Sequence, residues 1–248
     1  MAITHRLLSD HGLNLHAIFD IATLPEGLAS KLEEPACALE ARFRQLHLFG
    51  HAGSKMWAAM QKAGAAKAPE PVDSFSAHLV RRYFEDVLEC PDYRLLIPGG
   101  DRVLPLQKLG ELAGWHHASP FNIGVNRKWG SWFAYRAVAL ATTDLAPTTR
   151  EDWGAPCEAC IPKPCISQCP ASALDNGSLD LELCIDYRLQ EGSRCRSRCL
   201  SREACPVATE HRYSPEQICY HYTCSMQTIR NSRRRILNSG LSEPSTLP

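Results

Sequence analysis

Apolar and polar residues alternate from Leu13 to Leu24, up to Pro25, and this two-residue period predicts a strand. Residues 45–50, Gln-Leu-His-Leu-Phe-Gly, repeat the pattern and predict a second strand, closed by a turn at Gly50-His51-Ala52-Gly53. A helix is expected over 54–65, with Met56, Trp57 and Met60 on one face, followed by a loop from Ala63 to Pro71. The clearest helical period follows Pro71-Val72-Asp73. Asp73 suits a cap, and Phe75, Leu79, Val80, Tyr83, Phe84 and Leu88 recur at helical spacing. Residues 93–97 predict a short strand that stops at Pro98-Gly99-Gly100, and 105–113 a helix. Segments 121–125 and 131–141 are rich in aromatic and branched residues and predict strands. Strands and helices interleave without a βαβ repeat or a glycine-rich phosphate loop. The expectation is an α+β domain over residues 1–148, ending at the junction around Ala146-Pro147.

Beyond the junction the periodic pattern gives way to cysteine. Ten of the twelve cysteines lie between Cys157 and Cys224. One run reads Cys157-Glu-Ala-Cys160-Ile-Pro-Lys-Pro-Cys165-Ile-Ser-Gln-Cys169-Pro170; Cys184, Cys195, Cys199 and a second Cys205-Pro206 follow. A cubane of four irons and four sulfides needs four thiolates converging from different directions. One loop can supply three, because a few intervening residues let the chain curl around a corner of the cube. The fourth comes from elsewhere, and in two-cluster ferredoxins the cysteine before proline serves the other cluster. Proline lacks an N–H and stops the chain curling back. Cys157, Cys160, Cys165 and Cys205 therefore form one candidate set, and Cys169, Cys184, Cys195 and Cys199 the other. This predicts two 4Fe–4S clusters in a small ferredoxin-type domain over residues 149–228, followed by a basic, partly disordered tail over 229–248. The first run has four residues between its second and third cysteines, where the bacterial ferredoxin run has two.

Zinc and disulfides are the alternatives. Zinc favours paired Cys-x-x-Cys or mixed Cys/His sets, and disulfides suit an oxidising compartment. The first residues, Met1-Ala-Ile-Thr-His-Arg-Leu-Leu-Ser-Asp-His11, interrupt their apolar positions with charge and do not read as a secretory segment. No stretch reaches the roughly 20 apolar residues of a membrane span. A cytoplasmic setting is expected, where thiolate clusters read as metal sites. Cys219 and Cys224 read as spare thiols beside a cluster, Cys37 and Cys90 as core thiols. Charge is balanced, with 27 basic and 27 acidic residues, so no general polyanion-binding signature is present and nucleic acid is not the expected partner. Arg230, Arg233, Arg234 and Arg235 form a local exception that could dock an acidic redox protein or RNA.

The cysteine runs carry a resemblance. Cys157-x-x-Cys-x-x-x-x-Cys-x-x-x-Cys169-Pro, with Leu181-Glu-Leu-Cys184-Ile-Asp-Tyr187, is similar to the cluster domain of epoxyqueuosine reductases, where a cysteine in a Cys-Ile-Ser-Tyr segment helps hold the second cluster. Gly130-Ser-Trp-Phe-Ala-Tyr-Arg136-Ala-Val-Ala-Leu140 resembles the Gly-Ser-Trp-Phe strand of those reductases and the Gly-Trp-Phe-Ala-Ile-Arg strand of the cobalamin-processing CblC proteins. Pro71-Val72-Asp73 and its helix also resemble CblC. Both families share a nitroreductase-like domain that grips a corrinoid. The resemblance implies a reductase-type protein that passes single electrons from its clusters to a cofactor or substrate on the N-terminal domain. Cobalamin is the candidate ligand, a protein electron donor the expected partner. It makes Trp132, Phe133, Tyr135 and Arg136 candidate cofactor-binding residues, with Arg136 matching the CblC arginine that lines the thiol co-substrate site. The proton-donating Asp-Ser-x-Pro segment of the reductases has no match; Asp101-Arg-Val-Leu-Pro105 has a different spacing. Other expectations stand beside this one: a ferredoxin-like carrier for another enzyme, or a cluster-based redox or iron sensor. His116-His117, His211 and His221 are further metal-ligand candidates, although adjacent histidines on a strand point opposite ways.

Overall fold

The computed structural model describes residues 5–32, 42–67, 70–99 and 103–239. Cys37, Asp101 and the last residues of the tail lie outside the described residues. Two compact units are present. The first takes the chain up to Ala118, then Gly124–Ala159 and Val207–Arg212; the second takes Ser119–Ile123, Cys160–Pro206 and the chain from Tyr213 onward.

The first unit is α+β. Strands β1 (Leu15–Asp20), β2 (Gln45–Ala52), β3 (Tyr93–Ile97) and β4 (Phe133–Ala141) form an antiparallel sheet in the order β1-β2-β4-β3. Its helices are α1 (Arg6–Asp10), α2 (Glu26–Ala29), α3 (Lys55–Lys62), α4 (Pro71–Arg82) and α5 (Leu106–Leu112). Every residue of β2 is buried, because helices and loops cover both sheet faces. One face carries Leu15, Ala17, Leu46, Leu48, Val138 and Leu140, all in the main apolar core with Leu109 of α5 and Trp115. Fully burying such side chains stabilises by about 1.5–3 kcal/mol each. On the other face α4 packs against β4, and α3 against α4 and β2.

Several boundaries differ from the sequence expectation, for physical reasons. The first strand ends at Asp20 and the chain turns into a short 3-10 segment, Ile21–Thr23. The expected turn at 50–53 is absent: Gly50, His51 and Ala52 continue β2 and pair with Tyr135, Ala134 and Phe133, and the turn falls at Gly53, whose φ is +70°. Gly50 misled because it sits at a bulge, where a Cβ would lie 2.9 Å from the Ala134 carbonyl oxygen. Segment 121–125 is not a strand. Asn122 has φ +56°, the Ser119 hydroxyl donates to the Ile123 carbonyl at 2.6 Å, and pairing is limited to an isolated bridge from Val125 to His117. In the long helix Pro71 stands in the first turn and Asp73 inside it rather than at the cap, and the last turn, Tyr83–Val87, widens to a π-helix.

The face toward α4 is built differently. His16 on β1 and His47 on β2 share a 3.1 Å hydrogen bond. His47 reaches the Thr143 hydroxyl at 2.8 Å, and that hydroxyl donates to Gln45 Oε1 at 2.8 Å. Gln45 in turn donates to Asp20 and to the Leu145 carbonyl. Phe49 stacks on His16 at 4.4 Å, with Tyr83 edge-on to His16 and Phe84 edge-on to His47. Burial holds the His16 imidazole well below its ordinary range, with His47 adding to the effect, and burial pushes His47 down to about 3.

Two predictions follow from this packing. Folding stability falls as pH drops below about 6.5, because the unfolded chain then binds protons that the buried imidazoles refuse. The loss reaches at most about tenfold in the folding constant per pH unit for each histidine, and for His47 it continues to about pH 3. Urea unfolding followed by tryptophan fluorescence at pH 7 and pH 5 measures it, and H47Q reduces the slope. A slope unchanged by H47Q would remove His47 as its source. Gly12 has φ +78° and its absent Cβ would lie 2.2 Å from the Met56 backbone nitrogen. Gly12→Ala therefore costs at least about 1–3 kcal/mol in the same assay.

Candidate functional site

In the second unit the cysteines are carried by short helices that the local sequence starts and stops. Helix α6 (Pro164–Ser167) opens on a proline in its first turn. Helix α7 (Leu181–Leu189) opens on Asp180, whose carboxylate accepts the Leu183 amide at 3.0 Å. Helix α8 (Leu200–Glu203) has Cys199 as its cap, with the Arg202 amide directed at Sγ at 3.5 Å. Helix α9 (Pro215–Ser239) follows. Helices α6 and α8 pack against each other and end alike. The amides of Cys169 and Cys205 each bond to a carbonyl three residues back, those of Ile166 and Arg202, and a proline follows each cysteine.

Cys165, in the first turn of α6, lies in the electrostatic field of Cys205 and of Cys160. Cys184 on α7 lies in that of Cys199, Cys169 and Cys195, and Cys195 in that of Cys199 and Cys169. Of the eight candidate cluster ligands, Cys165 thus feels Cys160 and Cys205, and both Cys184 and Cys195 feel Cys169 and Cys199. Cys157 belongs to the first unit and is half-buried. Among the described residues, no three His, Cys, Asp or Glu side chains converge on one metal ion.

Burial raises the thiols first, and their neighbours add to it: Cys165 and Cys195 are pushed up, and Cys184 to about 11. Against this act backbone amides, Ile166 toward Cys165 and Leu200 toward Cys195. These are first-turn N–H groups of α6 and α8, and that of Ile166 also donates to the Lys163 carbonyl at 3.0 Å. Arg188 acts too. It lies one turn after Cys184 on α7 and favours the thiolates of Cys184 and Cys195. Its guanidinium is buried and donates to the Cys195 carbonyl at 3.2 Å, the Ser225 hydroxyl at 3.1 Å and the Tyr222 carbonyl at 3.2 Å. One side chain therefore fastens α7, the Cys195 loop and α9. The Tyr222 phenol, in contact with Cys199 and Arg202, is raised chiefly by burial.

The other sequence candidates are distributed as follows. Cys219 and Cys224 are exposed on α9, and Cys90 is half-buried near Thr142 rather than in the core. His211 packs on Trp129 with ring centroids 4.4 Å apart, in the first unit; His221 lies beside Tyr213 and Tyr220 in the second. His116 and His117 do face apart, toward the Tyr135 hydroxyl at 3.1 Å and Asp152 at 2.9 Å. Trp132 and Phe133 are buried, and Tyr135 and Arg136 half-buried. Arg136 is the extra residue of a bulge: Phe49 pairs with Ala137 and Gly50 with Tyr135. Its Nε donates to His51 Nδ1 at 2.9 Å. The Tyr135 ring fits because α5 has glycine where it arrives, at Gly110, whose Cβ would lie 1.9 Å from the hydroxyl oxygen. Burial raises Tyr135 and lowers His116, so both are neutral near pH 7. Arg188, Tyr222, His51 and the His116–Tyr135 pair were not singled out together by spacing, since their partners are distant in sequence.

No family model matches the chain, and no curated protein sequence matches it significantly. Solved structures do match. An epoxyqueuosine reductase from Streptococcus thermophilus aligns with a TM-score of 0.50 at 12% identity, over 84% of this chain and 66% of that one. The fold resembles that of epoxyqueuosine reductases. A second, an epoxyqueuosine reductase with a tRNA-Tyr epoxyqueuosine-modified tRNA stem loop, aligns with a TM-score of 0.52 at 14% identity, over 85% of this chain and 66% of that one. The chain thus spans just under two thirds of the length of these neighbours, and at such identities the likeness is one of fold. Among the described residues no helix is long and apolar enough to cross a membrane.

Arg188→Ala leaves the Cys195 carbonyl and two groups of α9 without their donor, at about 1–3 kcal/mol for each group left unsatisfied. Arg188→Lys restores the charge but not the three-way fork. Both variants are expected to lower the chemical-denaturation midpoint of the second unit, Ala more than Lys. A midpoint unchanged in R188A would show that the fork does not hold the cysteine loop to α9.

Proposed function

We propose that the chain is an iron–sulfur oxidoreductase that passes single electrons from two 4Fe–4S clusters to an acceptor on its α+β unit. The observation that carries this reading is the pattern of influence between the thiols: Cys205 and Cys160 act on Cys165, and Cys169 and Cys199 act on Cys184 and Cys195, which supports the two proposed ligand sets. Cys157 is the proposed fourth ligand of the former set. The donor set fits: all are thiols, backbone amides favour the charged forms of Cys165 and Cys195, Arg188 favours those of Cys184 and Cys195, and a proline follows both Cys169 and Cys205. When bound, the clusters supply one-electron transfer at potentials set by charge, hydrogen bonds to sulfur and exposure. The protein's part is to hold the thiolates, direct amides at them and shield them. Domain limits are proposed at 148 and 228, with the arginine-bearing end of α9 as the basic tail.

On the α+β unit, Tyr135 and Arg136 are the proposed acceptor-facing residues, with Trp132 and Phe133 packed behind them. Cobalamin as the acceptor draws on the sequence resemblance to corrinoid-binding families. RNA as the substrate class draws on the neighbour crystallised with a tRNA stem loop and on the exposed Arg230, Arg234 and Arg235 of α9. A substrate-bearing reductase also agrees better than a plain electron carrier with a unit that has its own sheet and apolar core.

Anaerobically purified protein is expected to contain about eight iron and eight labile sulfide per chain, with a coupled EPR spectrum after dithionite. Cys184→Ser should bring these to about four of each while leaving the other set reducible. Zinc without sulfide would overturn the electron-transfer reading. Added cobalamin should change its visible spectrum on binding and again on reduction through the clusters. No change removes cobalamin as acceptor and leaves the cluster result standing. Binding of a tRNA stem loop should weaken with salt and in R230A/R234A; binding insensitive to both removes α9 as the RNA contact.

A further inference from the structure

The first unit contains an open cavity of about 620 Å³ that neither the cysteine groups nor Arg136 lines. Its size falls within the range that encloses most of a small organic ligand. Leu28 of α2 and Leu112 of α5 give it apolar walls. Lys31, Lys108 and Arg150 stand around them with a single acidic residue, Glu111. The lining therefore carries a formal excess of two positive charges, in a chain whose 27 basic and 27 acidic residues cancel. Positive charge is concentrated here against apolar surface, and a low-dielectric wall strengthens the attraction of a cation for an anion lying on it.

Two of these cations already hold carboxylates, but loosely. Lys108 meets Glu111 at 2.9 Å and Arg150 meets Asp152 at 3.1 Å, and all four side chains are well exposed. Exposed pairs of this kind contribute little, so an entering anion can take the place of either carboxylate at small cost. Asp152 is provided for when Arg150 turns away. It accepts the Gly154 amide at 2.8 Å and lies 2.9 Å from the His117 ring. Arg150 is thus a cation whose present partner has others, which suits a side chain that exchanges onto a ligand.

We infer that this cavity binds a small amphipathic anion, its apolar body lying on Leu28 and Leu112 and its acidic group between Lys31, Lys108 and Arg150. The site is independent of the clusters, and its failure would leave the iron and sulfide result untouched.

Equilibrium dialysis of the anaerobically purified chain against 8-anilinonaphthalene-1-sulfonate tests this, with uncharged N-phenyl-1-naphthylamine as the charge control. The anion is expected to bind at one saturable site, at least tenfold tighter than the neutral probe and more weakly in high salt. K31E/R150E, which alters two exposed side chains, should weaken the anion tenfold or more and leave the neutral probe unchanged. Leu112→Trp, which fills the cavity, should abolish binding of both. Circular dichroism and the unfolding midpoint establish that each variant is folded. Equal affinity for both probes, absence of saturable binding, or anion binding unchanged in K31E/R150E overturns the assignment.

Discussion

Gathering thiols that would rather stay neutral is the constraint on which the second unit depends. Each thiolate added to a group raises the cost of ionising the next, and burial raises it further; Cys184 shows both effects. Few large apolar side chains offset that cost: Phe121, Leu174, Tyr213, Ile218 and Met226 are buried there, but so are Cys165, Cys195, Cys205, Arg188 and Arg202. A unit this small and this polar inside needs staples beyond its core. Cations, directed amides and metal are the means available to it. If the clusters form as proposed, the free energy of metal binding and that of folding are one quantity in this part of the chain.

Arg188 shows how the sequence meets this constraint with little material. A buried guanidinium is costly unless all its directions are used, and here each of the three bonds goes to a different piece of chain: a loop carbonyl, a helix hydroxyl and a helix carbonyl. The charge it brings lies beside Cys184 and Cys195. Structural and electrostatic roles therefore coincide in one residue. The amides at the starts of α6 and α8 follow the same economy. The Ile166 amide favours the Cys165 thiolate while also donating to the Lys163 carbonyl at 3.0 Å, and the Leu200 amide favours that of Cys195 in the loop before α8.

How much of this can be read along the chain depends on how local the signal is. The span 93–97 is a strand as its pattern predicts, and the helix opening at Pro71 begins where proline allows it. Both are short-range matters of period and backbone geometry. Cysteine spacing is also local, and its two Cys-Pro steps each end a short helical turn, at Ile166–Cys169 and Arg202–Cys205. Segment 121–125 has the composition of a strand, yet Pro120 and the left-handed Asn122 turn it into a loop, and composition does not reveal that. Gly50 reads as a turn but is a bulge, because its neighbour across the sheet, β4, is more than eighty residues away. The His16–His47 contact, the Arg188 fork and the cationic cavity are all made by residues from separated segments. No window of sequence displays them.

The sheet of the first unit divides labour between its faces in a way that bears on where chemistry can occur. The face toward Leu109 and Trp115 is apolar and continuous. The opposite face runs a hydrogen-bonded chain from His16 through His47 and Thr143 to Gln45 and Asp20, closed over by Phe49, Tyr83 and Phe84. Buried that completely, its imidazoles stay neutral, so it acts as a structural chain and not as a proton source. Reactive polar groups are instead expected where β4 departs from regular pairing. The bulge at Arg136 turns a cation out of register onto His51, and one residue earlier Tyr135 meets His116. A bulge disrupts the ladder locally and re-aims a side chain. A strand otherwise committed to packing can thus set a phenol against Gly110 and His116 and a cation on His51 without giving up the core residues, Val138 to Ala141, that follow.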